Sequence, residues 1–445
     1  MKKIALSIAG SDSSGAAGIQ ADLKSFSFLG LHGLSVLTCI TSQNTQKVKT
    51  VYKLPVEIIE DQIDTLFEDF KIDSIKTGML YDEEIVKCIA KKIFEYNLAP
   101  IVDPVMVATS GDSLSKNTLI NALKKYLLPK ALMVTANTKE AYELTKLRIN
   151  TIDDIKKNCQ KIGSFGPKYI LIKGGHFKSE KAIDILYDGK SYHIFSLPRI
   201  QNKKAHGSGC TLSALITGLI ALGETHVEAV RKAKYFVWEM IKNGYLPGKG
   251  SDVLNHSCEI QSVPLSPDNR HFEVWFDLKN AIEKLTPTLI PNFIPEVGIN
   301  FAYALENAKK LEDVCAIKGR IIRHNDKVRM CGGIDFAASK HVASIVLAAM
   351  SIDKNIRSAV NIKYSKENLS VCKKAGFKIG YFNRKDEPKK FISTMEWGTK
   401  EAISNLGFVP DVIYDLGGIG KEPMIRILGK NPSDVLSKLS KIIKI

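Results

Sequence analysis

Through the first half of the chain, short apolar segments alternate with segments of helical periodicity. The predicted strands are residues 4–9, 101–103, 132–135 and 169–173. Between them lie predicted helices, one with Ile19, Leu23 and Phe26 on its apolar face and another with Ile85, Ile89 and Phe94. Strands separated by helices favour a mostly parallel sheet with helices on both faces, so the predicted fold class is α/β.

Polar side chains follow several of these strands. Asp12, Asp103, Asn137 and Lys173 each stand at or near a predicted strand end. In open α/β sheets the ligand site lies at the carboxyl ends of the strands, so we expect these residues to surround one site.

The 445 residues are enough for two or three domains. Periodicity fades over residues 256–272, where Pro264 and Pro267 occur. We therefore predict a first domain over residues 1–260, a linker over 261–272 and a second, smaller α/β domain over 273–445. In the second, residues 276–285, 300–311 and 339–350 are predicted helices, and residues 411–415 a strand.

Composition narrows the class of protein. A hydrophobic share of 44% and a charged share of 25% are typical of globular proteins and exclude disordered, collagenous and coiled-coil chains. The longest apolar run, residues 212–222, is too short to span a bilayer. Polar residues 11–13 interrupt the N-terminal apolar stretch before a signal peptide could form, so we expect a cytoplasmic protein without membrane association.

The net charge of +16 indicates anionic partners, either nucleic acid or phosphorylated small molecules, unless most lysines only solvate the surface. The eight cysteines include no C-x-x-C pair, so neither disulfides nor a zinc site is expected.

Residues 205–211 (AHGSGCT) directly precede the apolar run 212–222, which is a predicted helix. Gly207, Ser208 and Gly209 can expose consecutive backbone N–H groups at the helix N-terminus, which would stabilise the charge of a phosphoryl group. An isolated G-x-G would more often be an ordinary helix start.

Here the segment is accompanied by other motifs. They are residues 9–22 (AGSDSSGAAGIQAD), 42–45 (SQNT), 76–80 (KTGML), 102–106 (VDPVM), 173–176 (KGGH) and 206–211 (HGSGCT). In this order they resemble the hydroxymethylpyrimidine and phosphomethylpyrimidine kinases of the ribokinase-like superfamily, over roughly residues 1–255. The resemblance implies a ribokinase-like fold, ATP as co-substrate and Mg²⁺.

The resemblance also implies roles for single residues. Cys210 would be the base facing the substrate hydroxymethyl group, with a pKa lowered by the helix N-terminus, rather than a buried inert cysteine. Gln43 would hydrogen-bond the aminopyrimidine. The pocket would also be lined by Gly10, Asp22 and Met79. Lys173 would contact nucleotide phosphates, and Gly207, Ser208 and Gly209 would form the anion hole.

Asn137 and Glu140 match the family's N-x-x-E element. With Asp103 they would position Mg²⁺ through water, with no direct protein ligand. Glu140 could instead be an exposed helix residue, and Asp103 a structural turn residue before Pro104. Ala136 stands where the family usually has proline.

The second domain has its own basic cluster. Arg320 precedes a helix whose predicted N-cap is Ser339, which puts Lys340 and His341 in its first turn. Cations at a helix N-terminus oppose the helix dipole and so do not stabilise the helix. Their presence makes sense if the helix start binds a diphosphate. Further donors would come from Arg357 and from residues 417–421 (GGIGK).

This part resembles a ThiN-type thiamine phosphate synthase domain. The matching segments are residues 296–300, 318–321, 338–343, 361–365, 395–398 and 410–415. The resemblance implies that Arg320 clamps the leaving diphosphate and that His341 binds it or protonates it. His341 could instead be a packed core histidine, and Ala337 stands where the family often has glycine.

Together the motifs predict a bifunctional enzyme of thiamine biosynthesis. It would phosphorylate 4-amino-5-hydroxymethyl-2-methylpyrimidine twice and then join the diphosphate to thiazole phosphate. One alternative is a second domain that only senses thiamine phosphate; another, suggested by charge alone, is nucleic-acid binding, which no motif supports. Small-molecule partners are therefore expected, no nucleic acid and no membrane, and homo-oligomerisation, substrate channelling and a pyridoxal side activity stay open.

Overall fold

The computed structural model describes residues 2–106, 113–174, 180–201, 206–260, 268–289, 291–325, 327–388 and 393–443. The chain forms two compact units, Met1–Ile260 and Gln261–Ile445. Residues 261–267 of the predicted linker lie outside the described residues, as do Gly175, His176 and Ala205 of the motifs. No helix in the described ranges combines the length and the apolar character needed to cross a membrane.

The first unit is a nine-stranded sheet with helices on both faces. Its elements are β1 (Ile4–Asp12), α1 (Gly18–Phe28), β2 (His32–Gln43), β3 (Val48–Lys53), α2 (Val56–Asp69), β4 (Ser74–Thr77), α3 (Glu83–Glu95), β5 (Ile101–Val102), α4 (Ser113–Ala122), β6 (Met133–Asn137), α5 (Thr138–Thr145), α6 (Ile152–Gly163), β7 (Tyr169–Lys173), β8 (Lys181–Tyr187), β9 (Tyr192–Pro198), α7 (Ser208–Ala221) and α8 (His226–Lys242). The strand order is β3-β2-β1-β4-β5-β6-β7-β8-β9. The six central strands β2, β1, β4, β5, β6 and β7 pair in parallel in this order. Strands β3, β8 and β9 are antiparallel additions at the two edges.

Alternate residues of the central strands enter cores on opposite sides of the sheet. In β1, Leu6 and Ile8 join a core with residues of α2 to α6, while Ala5 packs with Phe26 of α1 and Ala214 of α7. Burial on both faces explains why these strands are almost continuously apolar, and the predicted α/β class is confirmed. Among the apolar residues of the predicted helix, Ile85 and Ile89 of α3 are buried, whereas Phe94 is 71% exposed.

The second unit is built on a seven-stranded sheet that is largely antiparallel. Its elements are α9 (Asn269–Leu285), β10 (Phe301–Ala304), β11 (Val314–Ile317), β12 (Arg320–His324), β13 (Lys327–Cys331), β14 (Ile334–Phe336), α10 (Lys340–Met350), β15 (Ser358–Lys363), α11 (Lys366–Lys374), β16 (Ile379–Tyr381), α12 (Thr394–Leu406), β17 (Val412–Asp415), β18 (Met424–Gly429) and α13 (Pro432–Ile443). The order is β14-β11-β10-β15-β18-β17-β16, with β12 and β13 as a separate hairpin. Helices α10 and α12 share one core with this sheet, and α9 and α13 pack against each other and the same sheet.

The predicted helix over residues 300–311 is wrong. Strand β10 begins after Asn300, whose Nδ2 donates to the carbonyl oxygens of Ile317 at 2.8 Å and Gly319 at 3.2 Å. The amide N–H of Ile317 donates to Asn300 Oδ1 at 3.2 Å. These cross-strand bonds hold the segment extended, and its apolar residues fit either periodicity when they are considered alone.

We predict that Asn300→Ala destabilises the second unit by about 2–4 kcal/mol, because it leaves buried backbone groups of the neighbouring strand without partners. Urea unfolding followed by the fluorescence of the buried Trp275 measures the loss. The exposed Asn307 in the same stretch is the control, and Asn307→Ala should change the stability by less than about 0.5 kcal/mol. Equal midpoints for both variants would contradict the bracing role of Asn300.

Candidate active sites

Helix α7 begins at a glycine that no other residue can replace without movement of the backbone. Gly207, its N-cap, has φ of 84°, and a Cβ there would lie 1.8 Å from the carbonyl oxygen of Ala16. Within the described residues no side chain caps this helix start, and its first turn holds no acidic residue. The N–H groups of Ser208 and Gly209, which belong to the predicted anion hole, and of Cys210 therefore remain available to an anion.

Cys210 lies in this first turn and is half-buried. Burial raises the pKa of its thiol to about 12, and Asp22 and Asp103 raise it further against the opposing effect of Lys76. The prediction of a lowered thiol pKa is therefore wrong for the protein without ligands. The helix N-terminus lowers the thiol pKa, but the loss of water around the thiol and two nearby carboxylates raise it by more.

A fully buried ion pair lies behind the thiol. Lys76 Nζ is 2.8 Å from both Oδ1 and Oδ2 of Asp22, and Ser7 Oγ donates to Asp22 Oδ2 at 2.6 Å. Burial lowers the pKa of Lys76, but Asp22, Cys210 and Asp103 together raise it, so the amine stays charged. Asp22, expected on the wall of the substrate pocket, is instead buried and saturated by Lys76 and Ser7.

Two of the residues expected around the pyrimidine, Gly10 and Met79, are neighbours. A Cβ on Gly10 would lie 2.7 Å from Cys39 Sγ and 3.6 Å from Met79 Sδ. The amide of Gln43 is engaged, with its Nε2 2.9 Å from His206 Nε2.

His206, to which the motifs give no role, also lies 3.6 Å from Asp12 Oδ2. Burial raises the pKa of Asp12, but hydrogen bonds from His206, Ser14 and Ala17 lower it to about 2. The carboxylate is therefore ionised and holds His206 against Gln43.

A second group of polar residues meets at the carboxyl ends of β5 and β7. Lys173 Nζ is 3.2 Å from Asp103 Oδ1, to which Thr135 Oγ1 also donates at 3.2 Å. These residues adjoin a cavity of ≈ 250 Å³ that reaches from Lys173, Ser208 and Gly209 to an apolar wall. That wall consists of Ala182, Leu197, Leu212, Val237, Trp238 and Ile241.

Asn137 and Glu140 form a capping box at the start of α5. Asn137 Oδ1 accepts from the N–H of Glu140 at 2.9 Å, and Glu140 Oε2 accepts from the N–H of Asn137 at 2.7 Å. Burial raises the pKa of Glu140 to about 7, so it is not the fully exposed helix residue of the alternative interpretation.

The described residues contain no cluster of three or more acidic, histidine or cysteine side chains that could hold a metal ion. Asp103 nevertheless raises the pKa of Glu140, and both carboxylates raise the pKa of Lys173 against the effect of burial. Two oxygen donors of this kind fit Mg²⁺, which keeps most of its water shell.

The second unit has a cavity of ≈ 310 Å³. Five basic residues line it: Arg320, His341, Arg384, Lys421 and Arg426. Arg320 and His341, the two residues expected to bind diphosphate, therefore line the same cavity, while no signal in the sequence pointed to Arg384 and Arg426. Arg357 lies elsewhere, with its Nη2 donating to the carbonyl oxygen of Ala304 at 2.9 Å.

His341 is exposed in this cavity and is not the packed core histidine of the alternative interpretation. Desolvation lowers its pKa, and Arg320, Arg384, Arg426 and Lys421 lower it further. Ser339, the predicted N-cap, makes no side-chain capping bond, and its Oγ is buried without a partner among the described residues. Ala337 has φ of 56°, a conformation that favours glycine and explains the family's preference at this position.

Both units match families of known proteins. The family model for phosphomethylpyrimidine kinase matches residues 12–255, and the model for thiamine-phosphate synthase ThiN matches residues 277–441. The bifunctional thiamine biosynthesis protein ThiDN of Methanocaldococcus jannaschii is 34% identical over 451 residues, which cover 99% of each chain.

Two relatives match the first unit alone. The hydroxymethylpyrimidine/phosphomethylpyrimidine kinase of Bacillus subtilis is 41% identical over 57% of this chain and 94% of its own. The pyridoxal kinase of Staphylococcus aureus, solved in complex with AMP-PCP and pyridoxal, has a TM-score of 0.54 and 38% identity, and the match covers 57% of this chain and 94% of that chain.

The first unit is thus a ribokinase-like kinase and the second a ThiN-type synthase domain. The chain belongs to the ThiDN family of bifunctional thiamine biosynthesis proteins. The predicted family, fold class and enzyme class are confirmed, and the substrates are small molecules.

We predict that Gly207→Ala lowers the kinase rate at least about 100-fold, because its Cβ would push the start of α7 away from the Ala16 carbonyl and misalign the N–H groups. Steady-state phosphoryl transfer measures this. Gly223, at the other end of α7, also has positive φ but open space around its Cβ position. Gly223→Ala should cost about 1 kcal/mol of stability and leave the rate within about twofold. Equal kinase rates for the two variants would contradict the role of the N–H groups at the start of α7 in phosphoryl transfer.

Proposed function

We propose that the first unit transfers the γ-phosphoryl group of ATP to hydroxymethylpyrimidine and then to its monophosphate. The second unit joins the resulting diphosphate to thiazole phosphate, which gives thiamine phosphate and pyrophosphate. One arrangement supports the kinase proposal. Cys210 lies in the first turn of α7, just after Gly207, where burial and Asp103 raise the pKa of its thiol and Lys76 lowers it. The complex of the S. aureus relative with an ATP analogue supports ATP as the phosphoryl donor.

In the kinase step, the pyrimidine ring lies among Gly10, Gln43 and Met79, with its hydroxymethyl oxygen toward Cys210. The oxygen attacks the γ-phosphorus, the bond to ADP breaks, and Cys210 Sγ accepts the hydroxyl proton. Phosphoryl transfer has a loose transition state, so a base is needed only late, while stabilisation of charge is needed throughout.

Donors for that charge surround the proposed position of the phosphates. The N–H groups of Ser208 and Gly209 point toward the γ-phosphoryl group, and Lys173 binds phosphate oxygens from the opposite side. The apolar wall that includes Leu212 and Trp238 receives the base of the nucleotide. Asp103, Glu140 and Asn137 would hold Mg²⁺ through water, and the ion would supply positive charge against the phosphates.

In the synthase step, the bond from the pyrimidine methylene carbon to the diphosphate oxygen breaks, and the diphosphate takes the electron pair. The thiazole nitrogen then supplies the pair for the new C–N bond. The pyrimidine ring stabilises the intermediate cation, so the site needs cations for the diphosphate more than a strong base. Arg320 and His341 in the basic cavity supply them.

We predict that Cys210→Ala blocks thiamine phosphate formation from hydroxymethylpyrimidine but not from the pyrimidine diphosphate, because only the kinase needs the thiol. Arg320→Gln should block both. Thiamine phosphate is measured by mass spectrometry, and ATP binding and circular dichroism should be unchanged in Cys210→Ala.

Cys258, half-buried elsewhere in the first unit, is the control, and Cys258→Ala should keep normal rates. Near-normal kinase rates in Cys210→Ala would contradict the role of Cys210. Binding of thiamine phosphate without turnover of the pyrimidine diphosphate in the wild-type chain would favour the sensor alternative.

The synthase should lose activity as pH rises. Because burial and then the nearby cations hold the pKa of His341 below its usual value, the free enzyme loses its imidazolium early, and kcat/KM falls above that pKa. Bound diphosphate raises the pKa, so we predict that the fall in kcat occurs at higher pH than the fall in kcat/KM. His341→Gln should be slower and lack both falls, whereas the exposed His324→Gln should keep them. Coincident falls in the wild type would contradict the assignment.

A further inference from the structure

Three charged side chains outside the expected catalytic set are tied together at the synthase cavity. Asp415 is fully buried at the end of β17 and accepts from Arg384 Nε into its Oδ1 at 2.6 Å and from Arg384 Nη2 into its Oδ2 at 3.2 Å. Arg426 Nη2 lies 2.7 Å from the same Oδ2. A single carboxylate thus holds two guanidinium groups, both of which line the cavity.

The two arginines are not equally free to meet a ligand. Arg426 is only 2% exposed, lies over the ring of Phe382, and its Nη1 donates to the carbonyl oxygen of Met424. Arg384 uses one side of its guanidinium for Asp415, and within the described ranges its Nη1 has no hydrogen bond. The bidentate grip fixes the guanidinium plane, so this remaining edge is held ready for an anion.

Charge balance points the same way. One buried carboxylate faces two arginines, which leaves an excess positive charge beside the cavity. Glu422, the carboxylate among the lining residues, is engaged by the backbone N–H groups of Glu296 and Val297. An unneutralised buried guanidinium is costly, and a phosphate group in the cavity would offset that cost.

Arg384 and Arg320 belong to different parts of the second unit. Arg320 adjoins the β10 end of the sheet, where Gly319 is bonded to Asn300, whereas Arg384 directly follows the edge strand β16. Strands β10 and β16 are four strand spacings apart, about 19 Å between their backbones. His341 lines the same cavity, and burial followed by the charges of both arginines lowers its pKa.

We propose that Arg384 forms a second phosphate-binding site of the synthase cavity, distinct from that of Arg320, and that Asp415 and Arg426 are positioning residues for it. This rests on the proposed function, because the reaction brings together two substrates that each carry phosphate. Arg384 then holds one of those phosphates while Arg320 and His341 hold the other.

The test uses the full chain and varies each substrate separately. Arg384→Gln should raise KM for either the pyrimidine diphosphate or thiazole phosphate by about 10- to 100-fold, and the substrate affected identifies the phosphate held. Because Arg320→Gln should abolish turnover, its binding is measured by calorimetric titration, and it should weaken the affinity for the other substrate more. Asp415→Asn should raise the same KM as Arg384→Gln, because a neutral partner no longer fixes the guanidinium.

Chemical rescue separates binding from a structural role. Guanidinium ion at low millimolar concentration should restore part of the activity of Arg384→Ala, and unfolding midpoints should show that the variant is folded. Arg357→Gln, at an arginine outside the cavity, should keep both KM values within twofold.

Unchanged KM values for both substrates in a folded Arg384→Gln would overturn the proposal while leaving the synthase intact. If the wild-type chain made no thiamine phosphate, the proposed function would fail instead. Calorimetric titration with thiazole phosphate and with pyrimidine diphosphate would then still decide whether Arg384 binds either one, since equal affinities of wild type and variant for both would also overturn it.

Discussion

In both units a carboxylate withdrawn from water holds basic side chains beside the site. Asp22 is 0% exposed and pairs with Lys76 behind Cys210, and Asp415, also 0% exposed, pairs with Arg384 and Arg426 beside His341. Burying such pairs costs desolvation that their attraction only partly repays, so their worth lies in geometry rather than stability. The pair in the first unit fixes a positive charge behind the thiol of Cys210, and the pairs in the second unit hold Arg384 and Arg426 at the cavity wall.

The thiol of Cys210 illustrates what this arrangement demands. Its raised pKa results from the same burial and carboxylates that keep Lys76 charged and fixed. A thiol in these surroundings is a poor base by itself, whereas a loose phosphoryl transfer needs a base only as the new bond completes. The synthase cavity has a parallel feature, since the cations that would bind diphosphate also lower the pKa of His341. In both sites, we expect the binding of the anionic substrate to be the event that changes these pKa values most.

Local patterns in the sequence were enough for elements whose cores are made by near neighbours. Strand β7 matches its predicted bounds, and α10 begins one residue after its predicted start. Features set by distant contacts escaped. The predicted helix over residues 300–311 is wrong because the bonds of Asn300 to the next strand do not show in periodicity. Nothing local links Lys76 to Asp22, 54 residues away, or Arg384 to Asp415, 31 residues away. Exposure of Phe94 likewise depends on tertiary packing.

The opening alternation of strands and helices thus accounts for the first unit better than for the largely antiparallel second one, where function rests on side chains that several strands bring together. The central claim is that one chain carries out both reactions in sequence. Incubation of the full chain with hydroxymethylpyrimidine, thiazole phosphate, ATP and Mg²⁺, followed by mass spectrometry, tests it directly. The account predicts thiamine phosphate with two ADP and one pyrophosphate per molecule formed, and pyrimidine diphosphate that accumulates without thiamine phosphate would contradict it.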